Sequence, residues 1–350
     1  MPVHSEHDRM VARLPEVLSG LLGVRPAEVE VRTGEAGADL VAAVAGRTFV
    51  VEFRQSTGAA PVAAAAAQVR GLARRCGQRV VPLLAVPYMG DAGRRACQEA
   101  GVGWVDLSGN AHLVAPGLRV VVEGKPNRFR AAGRPPNLFA PKSSRVVRWL
   151  LMHPGAAFTQ RQIARATDMT EGFVSRIVAR LEREGYLVRD ARGAIQPQDP
   201  ELLLDAWRAA YDFSRHTLHP GHVPARSGEA LLESVIAALA EHGIGAAATG
   251  LAAAWVLTHF AAFQIATLYL PADPPAALLA GLGYRADARG ANLWLVLPND
   301  AGVFQGAVER DGIRCVHPVQ VYVDLKGHPE RAPEAAERLR AKLWPRSTEG

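Results

Sequence analysis

The sequence predicts a multidomain chain of α/β and α+β type. An N-terminal α/β domain comes first, then a small central module of three helices and a hairpin, then a C-terminal mixed α/β domain. Three observations predict this. Apolar strand patterns alternate with helical ones up to about residue 122. Residues 124–142, with four prolines and five basic residues, then break all periodicity. Third, 15 Lys and Arg against 6 Asp and Glu fall between Arg119 and Arg192, a net of +9 in a chain whose formal total is +6. The expected boundaries are 1–123 for the first domain, 124–142 for the linker, 143–200 for the central module and 228–346 for the last domain.

In the first domain a helix pattern covers residues 8–22, followed by VEVRT, ADLVAAVAG and RTFVVEFRQ as strands, with Gly46 in the turn between the last two. Residues 59–76 favour a helix. VVPLLAV reads as a strand buried on both faces. A helix over 91–100 and the strands VGWVDL and LRVVVEG complete it, with the DLSGN run (106–110) as a tight turn. Residues 124–142 read as an extended basic linker in which Arg128, Arg130 and Arg134 supply charge.

In the central module Val146, Val147, Leu150 and Leu151 fall at helical spacing. Thr159 is placed to cap a second helix. A third helix starts at Thr170, with Phe173, Val174, Ile177, Val178 and Leu181 on one face and Gly185 as its stop. YLVRDARGAIQPQ then reads as a hairpin turning at 191–193. This is the winged helix-turn-helix order, in which one helix enters a major groove and the preceding helix braces it. The expected DNA-binding residues are Thr170, Gly172, Ser175, Arg176 and Arg180, with Ser175 and Arg176 at base edges, Gly172 allowing close approach and Arg180 at a phosphate. Thr159, Gln160 and Arg161 lie on the bracing helix, and Arg189 and Arg192 on the wing. The run built from Ser175, Leu181, Gly185 and Leu187 resembles MarR-like winged-helix repressors.

After a polar connector (215–227), the last domain mixes helices (229–242, 251–263, 275–282, 333–343) with the strands ATLYL, NLWLVLP and QVYVDL. Thr249-Gly250 imitates the turn of a nucleotide-transfer site, yet ATLYLP carries no carboxylate to hold metals. Asp324 stands alone on its expected strand.

Two further resemblances carry function. Asp39, then Glu52 and Arg54 on one strand face, with Gln68 on the next helix, resemble the PD-(D/E)xK nuclease core. That core uses two carboxylates for a divalent metal and a Lys for the attacking water. Here Arg54 stands in place of the Lys, and an arginine neither deprotonates nor substitutes for it. The resemblance therefore implies a restriction-endonuclease-like frame that is inactive, the alternative being a metal-dependent nuclease targeted by the winged helix. The stretches from Trp104, from Gly245 and from Gln320 resemble AbiEi-type regulators, strongest at Thr249–Ala253, at Val323-Asp324-Leu325 and at Glu334-Ala335-Ala336. That resemblance implies a DNA-binding transcriptional regulator, the autorepressing antitoxin of a type IV toxin–antitoxin system. It further implies a toxin countered without a stable complex. Double-stranded operator DNA, an inverted repeat bound by a homodimer, is the expected partner.

Other chemistries find little support. Cys76, Cys97 and Cys315 lie far apart and are expected to be buried, reduced thiols. His216, His219 and His222 are spaced by three, but Pro220-Gly221 breaks the helix on which they would share a zinc, so no metal or cofactor is expected. Residues 244–263, the most apolar run, include Thr249, Thr258 and His259 and read as a buried core helix. No secretory signal is recognisable at the N-terminus, and a cytoplasmic protein is expected.

Overall fold

The computed structural model describes residues 6–33, 37–54, 59–77, 80–128, 138–260, 262–286 and 289–343. Arg130 and Arg134 of the linker lie outside them. The chain divides into two compact units. The first is Met1–Pro135 with Leu181–Tyr186 and Glu201–Ala209, and the second is Pro136–Arg180 with Leu187–Pro200 and Ala210–Gly350.

The first unit is built on a seven-stranded sheet whose strands follow chain order: β1 (Glu30–Thr33), β2 (Leu40–Val44), β3 (Arg47–Phe53), β4 (Val80–Val86), β5 (Gly103–Asp106), β6 (Ala111–Ala115) and β7 (Leu118–Val122). β3, β4 and β5 run parallel, and the other neighbours are antiparallel. Alternation sorts the side chains. Phe49, Val51 and Phe53 of β3 pack with Leu14 and Leu18 of α1 (Glu6–Leu22). Val50 packs on the other face with Val62, Ala66 and Val69 of α2 (Ala59–Cys76). α3 (Asp91–Ala100) lies beside α2, contacting it and β5. The β2–β3 connection puts both Ala45 (φ 50°) and Gly46 (φ 72°) in the left-handed region, as a two-residue hairpin turn requires. β6 was not expected. Its AHLVA run is short, and the DLSGN turn that precedes it is what folds it back onto β5.

The central module has three helices, α4 (Ser144–Met152), α5 (Gln160–Thr167) and α6 (Glu171–Arg183), and the second unit holds them up to Arg180. The hairpin β8 (Leu187–Arg189) and β9 (Ile195–Pro197) follows, and Phe158 bridges Ile195 as a third rung. α7 (Pro200–Ala210), whose residues Glu201–Ala209 belong to the first unit, buries Leu203, Leu204 and Trp207 and went unpredicted.

The C-terminal part is a six-stranded sheet of order β10-β13-β12-β11-β15-β14. Its strands are β10 (Thr217–Gly221), β11 (Ala247–Thr249), β12 (Ala266–Tyr269), β13 (Leu293–Leu297), β14 (Val308–Arg310) and β15 (Ile313–Cys315). Four further helices join them: α8 (Gly228–Glu241), α9 (Gly250–Thr258), α10 (Ala276–Gly281) and α11 (Pro318–Asp324); α12 (Ala332–Leu343) packs on α9 and α11.

Two expectations are corrected. The supposed connector contains β10, where an edge position tolerates Pro220. QVYVDL is not a strand but α11, which Pro318 at the first turn and the His317 ring accepting from the Val319 N–H initiate. Burial of Val319, Val321, Tyr322 and Val323 on all sides overrides the β propensity of the valines.

Cys97 and Cys315 are buried, and burial pushes both thiols up to about 12; Cys76, against expectation, is exposed at the end of α2. Among the described residues no helix is long and apolar enough to cross a membrane.

Candidate nucleic-acid interface

The bracing helix α5 is fixed at its start by a reciprocal cap. Thr159 Oγ1 accepts from the Gln162 N–H at 3.3 Å, and Gln162 Oε1 accepts from the Thr159 N–H at 2.8 Å. Asp168, at φ 53°, ends α5 in the left-handed conformation and turns the chain into α6. Val146, Val147, Leu150 and Leu151 of α4, Ile163 of α5, and Val174, Ile177 and Val178 of α6 are buried.

That packing leaves a definite outer surface. Thr159, Arg161, Thr170, Glu171, Gly172 and Arg176 are exposed, while Gln160, Ser175 and Arg180 are half-buried. A Cβ built on Gly172 meets nothing within 4 Å, so the start of α6 is open. Phe173 departs from the expected core face. It is half-buried, with Lys142 Nζ and the Arg176 guanidinium each 5.6 Å from its ring centre. Two cations are thus held near one ring at the start of α6. Arg161 makes a 3.9 Å contact with Glu171 between two exposed side chains, which is worth little in water.

On the wing, Asp190 Oδ1 accepts from the N–H groups of Arg192 and Ala194 at 2.9 and 2.8 Å, and Gly193 takes φ 78°. Arg189 NH1 donates to the Gly193 carbonyl at 3.1 Å, whereas the exposed Arg192 sits at the tip.

Two arginines of the basic segment turn inward instead. Arg145 of α4 forms a two-pronged pair with Asp300 at 2.7 and 3.0 Å. Arg148, 2% exposed, donates through Nε and NH2 to Gln320 Oε1 at 2.9 and 2.7 Å. Gln320 Nε2 in turn donates to Asp324 Oδ1 at 2.7 Å. Asp324 also accepts from Thr249 Oγ1 and the Tyr211 hydroxyl, both at 2.5 Å, and from the Tyr269 hydroxyl at 3.2 Å. Burial pushes the Asp324 carboxyl up to about 6, against the pull of those four hydrogen bonds. His216 closes the network. Its Nδ1 accepts from the Asn299 N–H at 3.0 Å, so Nε2 carries the proton toward Tyr211 and Tyr269. A second ring proton would face the Asn299 N–H, and burial, with Arg148 nearby, holds the imidazole down to about 4. Sequence reasoning missed this cluster, because Tyr211, Thr249, Tyr269, Gln320 and Asp324 share no local pattern. A 3₁₀ turn over Ala301–Phe304 and the Gly306 bend pack against α4. A Cβ on Gly306 would lie 2.2 Å from Met152 Cε.

The three histidines do not converge: His216 is buried in the network, His219 faces Asp273 at 3.4 Å and His222 approaches Arg285 at 3.5 Å. Among the described residues no group of three or more His, Cys, Asp or Glu is placed to hold a metal.

The N-terminal candidates do come together. Arg54 NH2 lies 2.7 Å from Glu52 Oε1, and NH1 lies 3.7 Å from Asp39 Oδ2. Gln68 Nε2 donates to Glu52 Oε1 at 3.0 Å, and its Oε1 accepts from Arg54 at 3.0 Å. The Phe53 N–H holds Asp39 at 2.7 Å. The guanidinium pairs with both carboxylates that a metal would need.

Fold and surface together define a winged helix-turn-helix DNA-binding protein. Residues 139–194 match the MarR family. Residues 197–343 match the family described as transcriptional regulator, AbiEi antitoxin, type IV toxin–antitoxin system. No curated protein matches the chain. These two matches support a DNA-binding transcriptional regulator of a type IV toxin–antitoxin system.

Proposed function

We propose that the chain is the autorepressing antitoxin of its system, binding an inverted-repeat operator as a homodimer through α6 and the wing. The observation that carries this reading is the pair of cations, Lys142 and Arg176, held near Phe173 beside the open turn at Gly172. Thr170, Ser175 and Arg176 read base edges, with Gly172 allowing close approach. Thr159, Gln160, Arg161 and Arg180 hold the backbone, and Arg189 and Arg192 place the wing. Arg145 and Arg148 take no part, since both are engaged with C-terminal residues. The N-terminal unit serves without catalysis, because Arg54 neutralises Asp39 and Glu52. Residues 197–343 supply the antitoxin activity.

Titrating the upstream region of the operon with wild type and Arg176→Ala tests the interface. A helix arginine paired with guanine contributes about 1–3 kcal/mol of discrimination, so operator affinity should fall by roughly 5- to 150-fold while random DNA changes little. Equal losses on both DNAs would make Arg176 a phosphate contact.

A further inference from the structure

The seven-stranded sheet ends in two different edges. β1 carries Glu30 and Arg32, exposed and 3.8 Å apart, and charge of this kind discourages further pairing. β7 carries valines. Helices α2 and α3 contact β3, β4 and β5, and among the described residues that face of β6 and β7 leaves Val114, Arg119 and Val121 open to solvent. Val114 of β6 and Val121 of β7, 50% and 44% exposed, are the exposed large hydrophobic side chains among the described residues. Their registers (Val114 with Arg119, His112 with Val121) put both on one face, as diagonal neighbours. Among the described residues, the chain leads from β7 to the β5–β6 turn. Lys125 is clamped on the β5–β6 turn, its N–H donating to Asn110 Oδ1 at 2.8 Å and its carbonyl accepting from Asn110 Nδ2 at 3.0 Å.

The edge is also complementary to itself. Residues 119–123 read Arg-Val-Val-Val-Glu. Laid antiparallel on a second copy about Val121, Arg119 falls opposite Glu123 twice, and Val120 falls opposite Val122. Arg119, Val121 and Glu123 share the open face, and all are exposed. Val120 points to the opposite face, where it packs on the core beneath α1. Pairing would therefore extend that core and cover the exposed valine at once. Glu123 has one long contact at home, 3.9 Å to Arg94, that leaves its side chain 52% exposed.

We propose that β7 pairs antiparallel with β7 of a second copy, centred on Val121, joining two seven-stranded sheets into one and forming the homodimer. The proposal rests on the dimer reading given above and adds its interface. Light scattering after gel filtration and sedimentation velocity on the full chain test it. Wild type is expected as a dimer. Val121→Lys sets two like charges face to face on the axis and should weaken the dimer about tenfold or more. Arg119→Glu and Glu123→Arg should each weaken it several-fold, and the double swap should restore it. The swap keeps the test valid where the lysine variant fails to fold, as circular dichroism will tell. A monomeric wild type overturns both the dimer reading and this interface. A dimer that ignores all three substitutions overturns only the interface, and a double swap that stays weakened overturns the register.

Discussion

Glu52 and Asp324 are both buried carboxylates, and the chain satisfies them in opposite ways. Glu52, 3% exposed, pairs with an arginine two residues away and with a glutamine one helix on. Asp324, fully buried, has no ion pair among the described residues. It accepts hydrogen bonds from four neutral groups, while Arg148 acts through the Gln320 amide. The first arrangement is local and keeps one foot in water, because Arg54 is 31% exposed. The second is assembled from five separate elements around a carboxylate with no exposed surface. Local pairing tolerates the loss of a partner, since water can replace it. A buried network does not, since each lost acceptor strands several donors.

That difference also explains what was legible beforehand. Glu52, Arg54 and Gln68 could be grouped because strand alternation and helix order place them on one face. Helix α2 and the capping role of Thr159 were readable for the same reason: their signals lie within a few residues. α11 was misread as a strand, because valine spacing describes a local preference while the burial that overrules it comes from elsewhere in the fold. Arg145 and Arg148 were counted in the basic segment, because a sequence does not say which way a helix turns its arginines. Phe173 was placed in the core by periodicity, yet it carries two cations at the helix start.

The largest effect should come from Asp324→Ala. It removes the acceptor shared by Thr249, Tyr211, Gln320 and Tyr269 at a fully buried position. A cost of about 3–5 kcal/mol follows, seen as a melting point lowered by roughly 6–15 °C. Asp324→Asn, which keeps one acceptor oxygen, should cost less. A loss as small as that of a surface change would mean the network relaxes freely, and the contrast with Glu52 would collapse.

Acid should act on the same unit next. His216, His317 and His328 are held down to about 4 by burial, so the unfolded chain takes up protons from about pH 6.5 downward while the folded chain does not. Stability from these groups is present above about 6.5 and is lost as pH falls toward 4. Asp324 runs the other way. Its folded value of about 6 lies above the usual 3.8, so it gains a proton first in the folded state and partly offsets the loss. Three groups outweigh one, and melting points should fall from pH 7 to pH 4.5. In Asp324→Asn the fall should be steeper, because the offset is gone. A flat profile would show that the histidines are wet in solution.

The smallest effect belongs to Glu52→Gln. The substitution removes a buried charge, whose desolvation is costly, together with its attraction to Arg54, and these two terms oppose each other. The guanidinium left behind is partly exposed, so water and Asp39, 3.7 Å away, can satisfy it. The net change should stay within about 1 kcal/mol, a shift of a few degrees at most in the melting point. The same variant decides the chemistry of the site. With Arg54 set against both carboxylates, neither wild type nor Glu52→Gln should cleave plasmid DNA in the presence of Mg²⁺. Cleavage by wild type that Glu52→Gln abolishes would show that the arginine yields to a metal, and would make the N-terminal unit a nuclease aimed by its winged helix. A large loss of stability without cleavage would instead show that the Glu52–Arg54 pair is as intolerant of a lost partner as the network around Asp324, and the distinction between local and dispersed carboxylate sites would not hold for this chain.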